Sequence, residues 1–322
     1  MSKISRTLSY QTLILIMAGS TLLNTVFSLR KTTPIENKTQ TLTEIANRFQ
    51  EFSLNQPIDE FGLDYEREER ALAGLTQASV TNPYAPKAQK DSIDLLFNNS
   101  VLIGQVFTPN LGIDANEKPV EWYNSFSNGT VISNEGHVLT SWHVAKPEIF
   151  PDYRKIIVID GQKNVYEANI IAFSERYDLA LLKTNIKGEH KVFLADESVI
   201  PSGDKVFSGG LDLEGKVEFN ISPFRITNKD EIRLNRFTSS GYFRGNQDYP
   251  TIGAEGTILA NPVVTDTFSR GGYSGSLIID TQGRIVGVTS MSNTNTTSAS
   301  SATNIRKLIT FYLNGLRETN KK

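Results

Sequence analysis

The sequence predicts an all-β protein of sandwich or barrel type, with a polar helical arm before the strands and one helix after them. Three observations carry this expectation. Short apolar runs separated by turn residues recur from about residue 93 onward. The stretch 30–92 is polar and shows helical rather than strand spacing. Near the end, Ile305, Leu308, Ile309, Tyr312 and Leu316 form a stripe at helical intervals, so a closing helix over Thr303–Leu316 should pack on the later strands.

Taken in order, residues 1–29 stand apart from the fold. Lys3 and Arg6 precede an uncharged stretch, Thr7–Leu29, densest at Leu13–Ala18. A basic start followed by an apolar run reads as an export signal. At ~1.5 Å per residue the run is also long enough to cross a bilayer as an anchor. Gln11, Asn24 and the small residues around Val26-Phe27-Ser28 favour cleavage near Leu29 or Arg30. Either outcome carries the rest of the chain out of the cytoplasm, to the periplasm or the medium.

In the 30–92 arm, Thr41-Leu42-Thr43-Glu44 has capping-box spacing, and Leu42, Ile45, Phe49 and Phe52 follow on one side. A second helix is expected over Asp64–Leu75, and Asn82-Pro83 with Pro86 ends the arm as a loop. It reads as a spacer or a short arm docked on the main domain, the alternative being a pro-segment or regulatory arm. The strand candidates fall into two groups. Val101–Ile103, Thr130–Ile132, His137–Leu139, Ile156–Ile159 and Leu179–Leu182 form the first. Val206-Phe207, Val217–Phe219, Ile232–Leu234, Leu277–Ile279 and Ile285–Val288 form the second, and the Asn/Thr/Ser-rich run Asn293–Ser301 reads as a mobile loop.

Composition narrows the chemistry. The 322 residues contain no cysteine, which excludes disulfides, a thiol nucleophile, thiolate zinc and Fe–S clusters. Three histidines leave little for a poly-histidine metal centre, and no cofactor or metal is expected. With 33 basic and 35 acidic side chains the net charge is −2, which gives no electrostatic case for nucleic acid. Chemistry must therefore come from hydroxyls, carboxylates, lysines and very few imidazoles.

Three stretches offer it. The segment Gly129–Val144 reads as strand, tight turn and strand, with His143 just past the second strand. Tyr177–Lys183 places Asp178 at the head of an apolar strand, where a carboxylate is costly to bury without hydrogen bonds. Gly271-Gly272-Tyr273-Ser274-Gly275-Ser276 sets Ser274 in a glycine-rich turn, whose backbone can turn tightly and aim N–H groups at whatever the hydroxyl attacks. Each signal is modest alone; the order His, Asp, Ser is what carries weight.

In that order they resemble the chymotrypsin-fold (trypsin-like) serine peptidases, in particular the bacterial branches of HtrA proteases and glutamyl endopeptidases. The matching blocks are Thr140–Val144, Asp178–Leu182 and Gly272–Ser276, within a resemblance covering roughly Ser92–Leu316. It implies two antiparallel six-stranded barrels, residues 93–188 with His143 and Asp178, and 189–322 with Ser274 and the closing helix. It implies that Ser274 is the nucleophile, His143 its base, Asp178 the residue orienting the imidazole, and the N–H groups of Gly272 and Ser274 the oxyanion hole. Polypeptides are the implied substrates. Too few residues follow the closing helix for a PDZ domain, so HtrA-type regulation is not expected.

Departures from the family matter as well. Tyr273 stands where Asp or Asn is usual, at a position that braces the oxyanion loop, and it favours the alternative of an inactive binding protein on the same fold. An α/β-hydrolase is excluded, because no histidine follows Ser274. The first substrate pocket would be lined by Phe268, Ser269 and Arg270, then by Thr289, Ser290, Met291 and Ser292. Phe268 occupies the place where a Lys/Arg preference needs an acid, and Thr289 the place of the histidine that reads Glu. A small or apolar side chain is therefore expected there, with Ser290–Ser292 pairing to the substrate backbone. His137 is expected to be a half-buried strand residue, and His190 a loop residue without a catalytic role.

Overall fold

The computed structural model describes residues 51–54, 63–79, 82, 85, 89–107, 122–123, 126–146, 154–187, 192–215, 217, 219–221, 224–226, 229–253, 257–293 and 295–319. The proposed export segment and most of the predicted Leu42–Phe52 helix lie outside them, as does His190.

The arm contributes strand β1 (Ser53–Leu54), helix α1 (Tyr65–Leu72) with a 3-10 turn over Ala73–Leu75, and helix α2 (Gln89–Asn99). Asp64 caps α1 by accepting from the Glu66 N–H at 3.0 Å. Helix α2 is a departure from expectation. It runs directly into the next strand, with only the polar Asn98-Asn99-Ser100 between Leu95-Leu96-Phe97 and Val101–Ile103. The Ser100 hydroxyl marks its end by donating to the Leu96 carbonyl at 2.6 Å.

The first barrel is built from β2 (Ser100–Phe107), with β3 (Trp122–Tyr123) paired to it at the side, then β4 (Ser127–Val131) and β5 (His137–Thr140). A single helical turn, α3 (Trp142–Ala145), is followed by β6 (Arg154–Ile159), β7 (Val165–Ser174) and β8 (Leu179–Lys183). Their order β7-β6-β2-β4-β5-β8 closes through β7–β8 pairing, and β1 adds to β7 with Ser53 opposite Phe173. Val101, Ile103, Val138, Val158, Ile170, Ala180 and Leu182 fill the interior.

After a 3-10 turn at Glu197–Val199 come β9 (Lys205–Glu214), a side ribbon of β10 (Phe219–Ile221) and β11 (Phe224–Ile226), and β12 (Arg233–Asn246). Next are β13 (Thr251–Ile252), β14 (Ile258–Leu259), β15 (Val263–Thr265), β16 (Leu277–Asp280), β17 (Ile285–Ser292) and β18 (Thr297–Ser301). β12, β15, β18, β17, β16 and β9 close the second barrel around Val206, Phe243, Val263, Ile278, Val286 and Ala299. The chain thus forms two closed antiparallel six-stranded barrels. Strand β18 corrects the expectation of a mobile loop: Thr297-Ser-Ala-Ser-Ser is buried throughout. Its small hydroxyl side chains hide the strand from a hydropathy reading, while backbone pairing to β15 and β17 satisfies most of its polar groups.

The barrels meet through the extended β9–β12 ribbon. Its Leu211, with Val217 and with Ile232 just ahead of β12, covers Leu102, Ile157 and Ile159 on the outer face of the first barrel. Both faces of β2 and β6 are therefore buried, which is why those strands read as unbroken apolar runs rather than alternating ones. The closing helix α4 (Ala302–Thr319) buries the predicted stripe. It also reaches further than expected, because Tyr312 meets His137 of the first barrel edge-on at 6.3 Å and Phe311 stacks on Phe52 of the arm at 5.6 Å.

Candidate active site

His143 sits on α3, one turn beyond β5. The turn is seated by Trp142, whose ring stacks on Phe173 of β7 at 3.9 Å and 7°. Ser141 precedes it at the N-cap, but its hydroxyl does not cap the turn; it crosses to the second barrel and donates to the Thr289 carbonyl at 2.8 Å. His143 Nδ1 lies 2.8 Å from Asp178 Oδ2, and the His143 backbone N–H donates to Asp178 Oδ1 at 2.9 Å. The Ser290 hydroxyl donates to the same Asp178 Oδ2.

Asp178 is fully buried, and these three donors are what make a carboxylate tolerable there. Its φ of +48° places a non-glycine residue in the left-handed region, a strain of order 1 kcal/mol. The turn before β8 thereby aims the carboxylate at His143. The imidazole side chain itself is 28% exposed, so it is reachable where Asp178 is not.

Ser274 arrives from the second barrel. Its hydroxyl donates to the Ser290 carbonyl at 3.2 Å, and its own carbonyl accepts from the Asn128 N–H at 2.9 Å. Gly275 makes this approach possible. Its φ is +85°, and a Cβ there would stand 1.9 Å from the Asn128 carbonyl oxygen and 2.4 Å from Thr140 Oγ1. Any side chain would push the serine loop off the first barrel.

His143, Asp178 and Ser274 are therefore linked through Ser290: its hydroxyl bonds Asp178 and its carbonyl receives Ser274. Ser290 was grouped with the substrate pocket in the sequence, yet its side chain serves Asp178. Thr289 is buried, and its carbonyl accepts both Ser141 Oγ and the Gly275 N–H. Phe268 is 63% exposed at the rim, and Ser292 Oγ donates to the Ser269 carbonyl at 3.3 Å. Met291 lies against Gly253, while Arg270 turns to an ion pair with Asp212 of β9.

Sequence reasoning missed Asn128. This residue at the start of β4 is 1% exposed and reaches into the second barrel with both ends of its amide. A lone Asn before Gly129 carries no sequence signal of that role. Ser141 is likewise visible only as a neighbour of the histidine motif, and Ser290 only as an expected pocket-lining residue.

His137, expected to be half-buried, is completely buried. Its Nδ1 lies 2.6 Å from Ser133 Oγ, and its Nε2 bonds Glu68 of α1. Ser133 Oγ already accepts the N–H groups of Glu135 and His137, so its proton goes to Nδ1 and His137 donates from Nε2. Glu68 also receives Lys183 Nζ at 2.6 Å and Tyr312 OH at 2.9 Å. Burial alone would raise the Glu68 carboxyl, but His137 and Lys183 outweigh it and hold it at about 2. Burial lowers the pKa of His137 despite the opposing pull of Glu68. Among the described residues no three carboxylate or imidazole groups converge as metal ligands would.

No curated protein matches the chain in sequence. Among solved structures it is similar to the HtrA-type protease AlgW with a decapeptide. The TM-score is 0.51 at 15% identity, over 70% of this chain and 68% of that one. The model of the trypsin-like peptidase domain matches residues 127–288, half of the chain and the part that contains His143, Asp178 and Ser274. The chain belongs to the trypsin-like peptidase family.

Proposed function

We propose that the protein is a serine endopeptidase that cleaves polypeptides through an acyl-enzyme. The observation that carries this reading is the His143–Asp178 pair: a fully buried carboxylate 2.8 Å from Nδ1 of an imidazole that remains 28% exposed. With Nδ1–H held by Asp178, Nε2 is the basic nitrogen, and the Ser274 proton turns from the Ser290 carbonyl to it as the oxygen attacks. Asp178 then stabilises the imidazolium. The N–H groups of Gly272 and Ser274 receive the oxyanion, and the imidazolium returns its proton to the leaving amine. Water deacylates the serine by the same route.

An extended substrate strand would lie along Ser290–Ser292, where β17 runs past its pairing with β16. The first pocket, rimmed by Phe268 and Ser269, would take a small or apolar side chain. The second reading, a peptidase-fold binding protein, rests on Tyr273 alone. Fluorophosphonate labelling separates the two. Wild type should label on Ser274 and cleave a peptide library, and Ser274→Ala should fold normally and do neither. Cleavage by Ser274→Ala would remove the nucleophile assignment, and a folded wild type that stays unlabelled would favour the binding reading. We also propose export through residues 1–29; cell fractionation with N-terminal sequencing tests it, and full-length chain in the soluble cytoplasm would overturn it.

A further inference from the structure

The residue ahead of the nucleophile is where this chain leaves its family's pattern, and its surroundings are unusual. The Tyr273 ring is 6% exposed and stacks on Phe237 of β12, with centroids 3.4 Å apart and 5° between planes. Phe268 meets its edge at 6.4 Å, and the Arg270 guanidinium, ion-paired to Asp212, stands 5.1 Å from its centroid. On the other side of the loop is Asn128. Its Nδ2 donates to the carbonyls of Gly272 at 2.8 Å and Leu211 at 3.0 Å, while its Oδ1 accepts the Leu211 N–H at 2.8 Å. Gly210 leaves room for both: a Cβ there would stand 2.2 Å from Asn128 Oδ1 and 3.0 Å from the Phe237 ring.

The consequence follows from peptide geometry. A trans peptide is planar, so fixing its carbonyl fixes the opposed N–H. Asn128 holds the Gly272 carbonyl and so sets the plane of the Gly272–Tyr273 peptide, whose N–H donates to the Arg270 carbonyl at 3.0 Å and closes the turn that carries Gly272. The Tyr273 carbonyl accepts the Ser276 N–H at 3.1 Å, which sets the direction of the Ser274 N–H, one of the two oxyanion donors. Between these two peptides sits Tyr273, whose ring is anchored on Phe237 and so fixes the Cα that both peptides share.

We propose that the Phe237–Tyr273 stack and the Asn128 amide clamp Gly272–Ser274 in its oxyanion-binding conformation before substrate arrives. Tyr273 is then a positioning residue, and its presence in place of Asp or Asn is a different way of bracing the same loop. This rests on the peptidase reading above. The clamp acts on a charge that develops only in the transition state, so its loss should lower kcat and leave KM nearly alone.

The test uses the full-length protein and the best peptide from a fluorogenic library. Tyr273→Phe keeps the stack and should stay within about twofold of wild type, whereas Tyr273→Ala and Asn128→Ala should lose about ten- to a hundredfold in kcat with KM changed by less than about threefold. Tyr273→Asp, the family's residue, should do no better than Ala, because the ring's seat on Phe237 stays empty. Should the alanine variants fail to fold, Tyr273→Leu and Phe237→Leu keep apolar volume while removing the stack, and should still lose several-fold in kcat. Wild-type kcat in the folded Ala or Leu variants, or losses confined to KM, would overturn the clamp alone. A wild type that neither labels nor cleaves would overturn the peptidase reading and the clamp together.

Discussion

Six residues apart in the chain, His137 and His143 make the same pairing with a buried carboxylate and end in opposite circumstances. His143 is held by Asp178 at one ring nitrogen and remains partly exposed in the cleft. His137 is held by Glu68 at one nitrogen and Ser133 at the other, with all three side chains buried. Ser133, His137 and Glu68 even repeat the residue types of a serine triad with Glu as the acid. What differs is access. In the buried cluster the serine oxygen already accepts two backbone N–H groups, and the carboxylate is neutralised by Lys183 rather than left to a forming imidazolium. A histidine–carboxylate pair alone therefore says nothing of catalysis. The buried cluster instead joins the arm (Glu68), the first barrel (His137 and Lys183) and the closing helix (Tyr312).

The sharpest way to break this comparison is to remove each histidine. His143→Ala should lose about 10⁴-fold or more in kcat and stay folded, with a smaller stability loss than His137→Ala because its ring is partly exposed. His137→Ala should keep kcat in the folded protein and lose about 3 kcal/mol of stability, because a buried hydrogen bond to a charged group goes with the ring. Kinetics and thermal unfolding on both variants decide the matter. If His137→Ala also abolished turnover in a folded protein, the division between the two pairs would fail.

A smaller effect is carried by pH, and its sign is the same for both histidines for different reasons. Activity should rise with pH as His143 becomes a neutral base. Stability should also rise, because burial holds the His137 pKa below its unfolded value of 6.5. In that interval the unfolded chain binds the extra proton, so this contribution is complete above 6.5 and declines as pH falls below it. Glu68 acts lower: its contribution is complete above the unfolded value of 4.5 and is lost as pH falls towards about 2. In His137→Gln the stability slope just below neutrality should flatten while the activity profile stays in place. A slope unchanged in that variant would assign it to other groups.

Local chemistry made much of this protein legible in one dimension. Alternating and continuous apolar runs announced β2, β4, β5, β6, β8, β16 and β17, and the 3.6-residue stripe announced α4, since strand and helix periods are properties of neighbouring residues. The groups able to form a catalytic site were legible too, because glycines around Ser274 and an acid heading an apolar strand are local patterns. Elements without such contrast were not. Strand β18 contains only Thr, Ser and Ala, and α2 passes straight into β2 with no loop between them. Only the tertiary structure decided which histidine is enclosed and which opens to the cleft. It alone decided that Asn128, Ser141 and Ser290 tie the two barrels together at the serine loop. Burial and hydrogen-bond partners are set by residues far apart in the chain: 69 positions separate Glu68 from His137, and 144 separate Asn128 from Gly272. No window of sequence contains both partners.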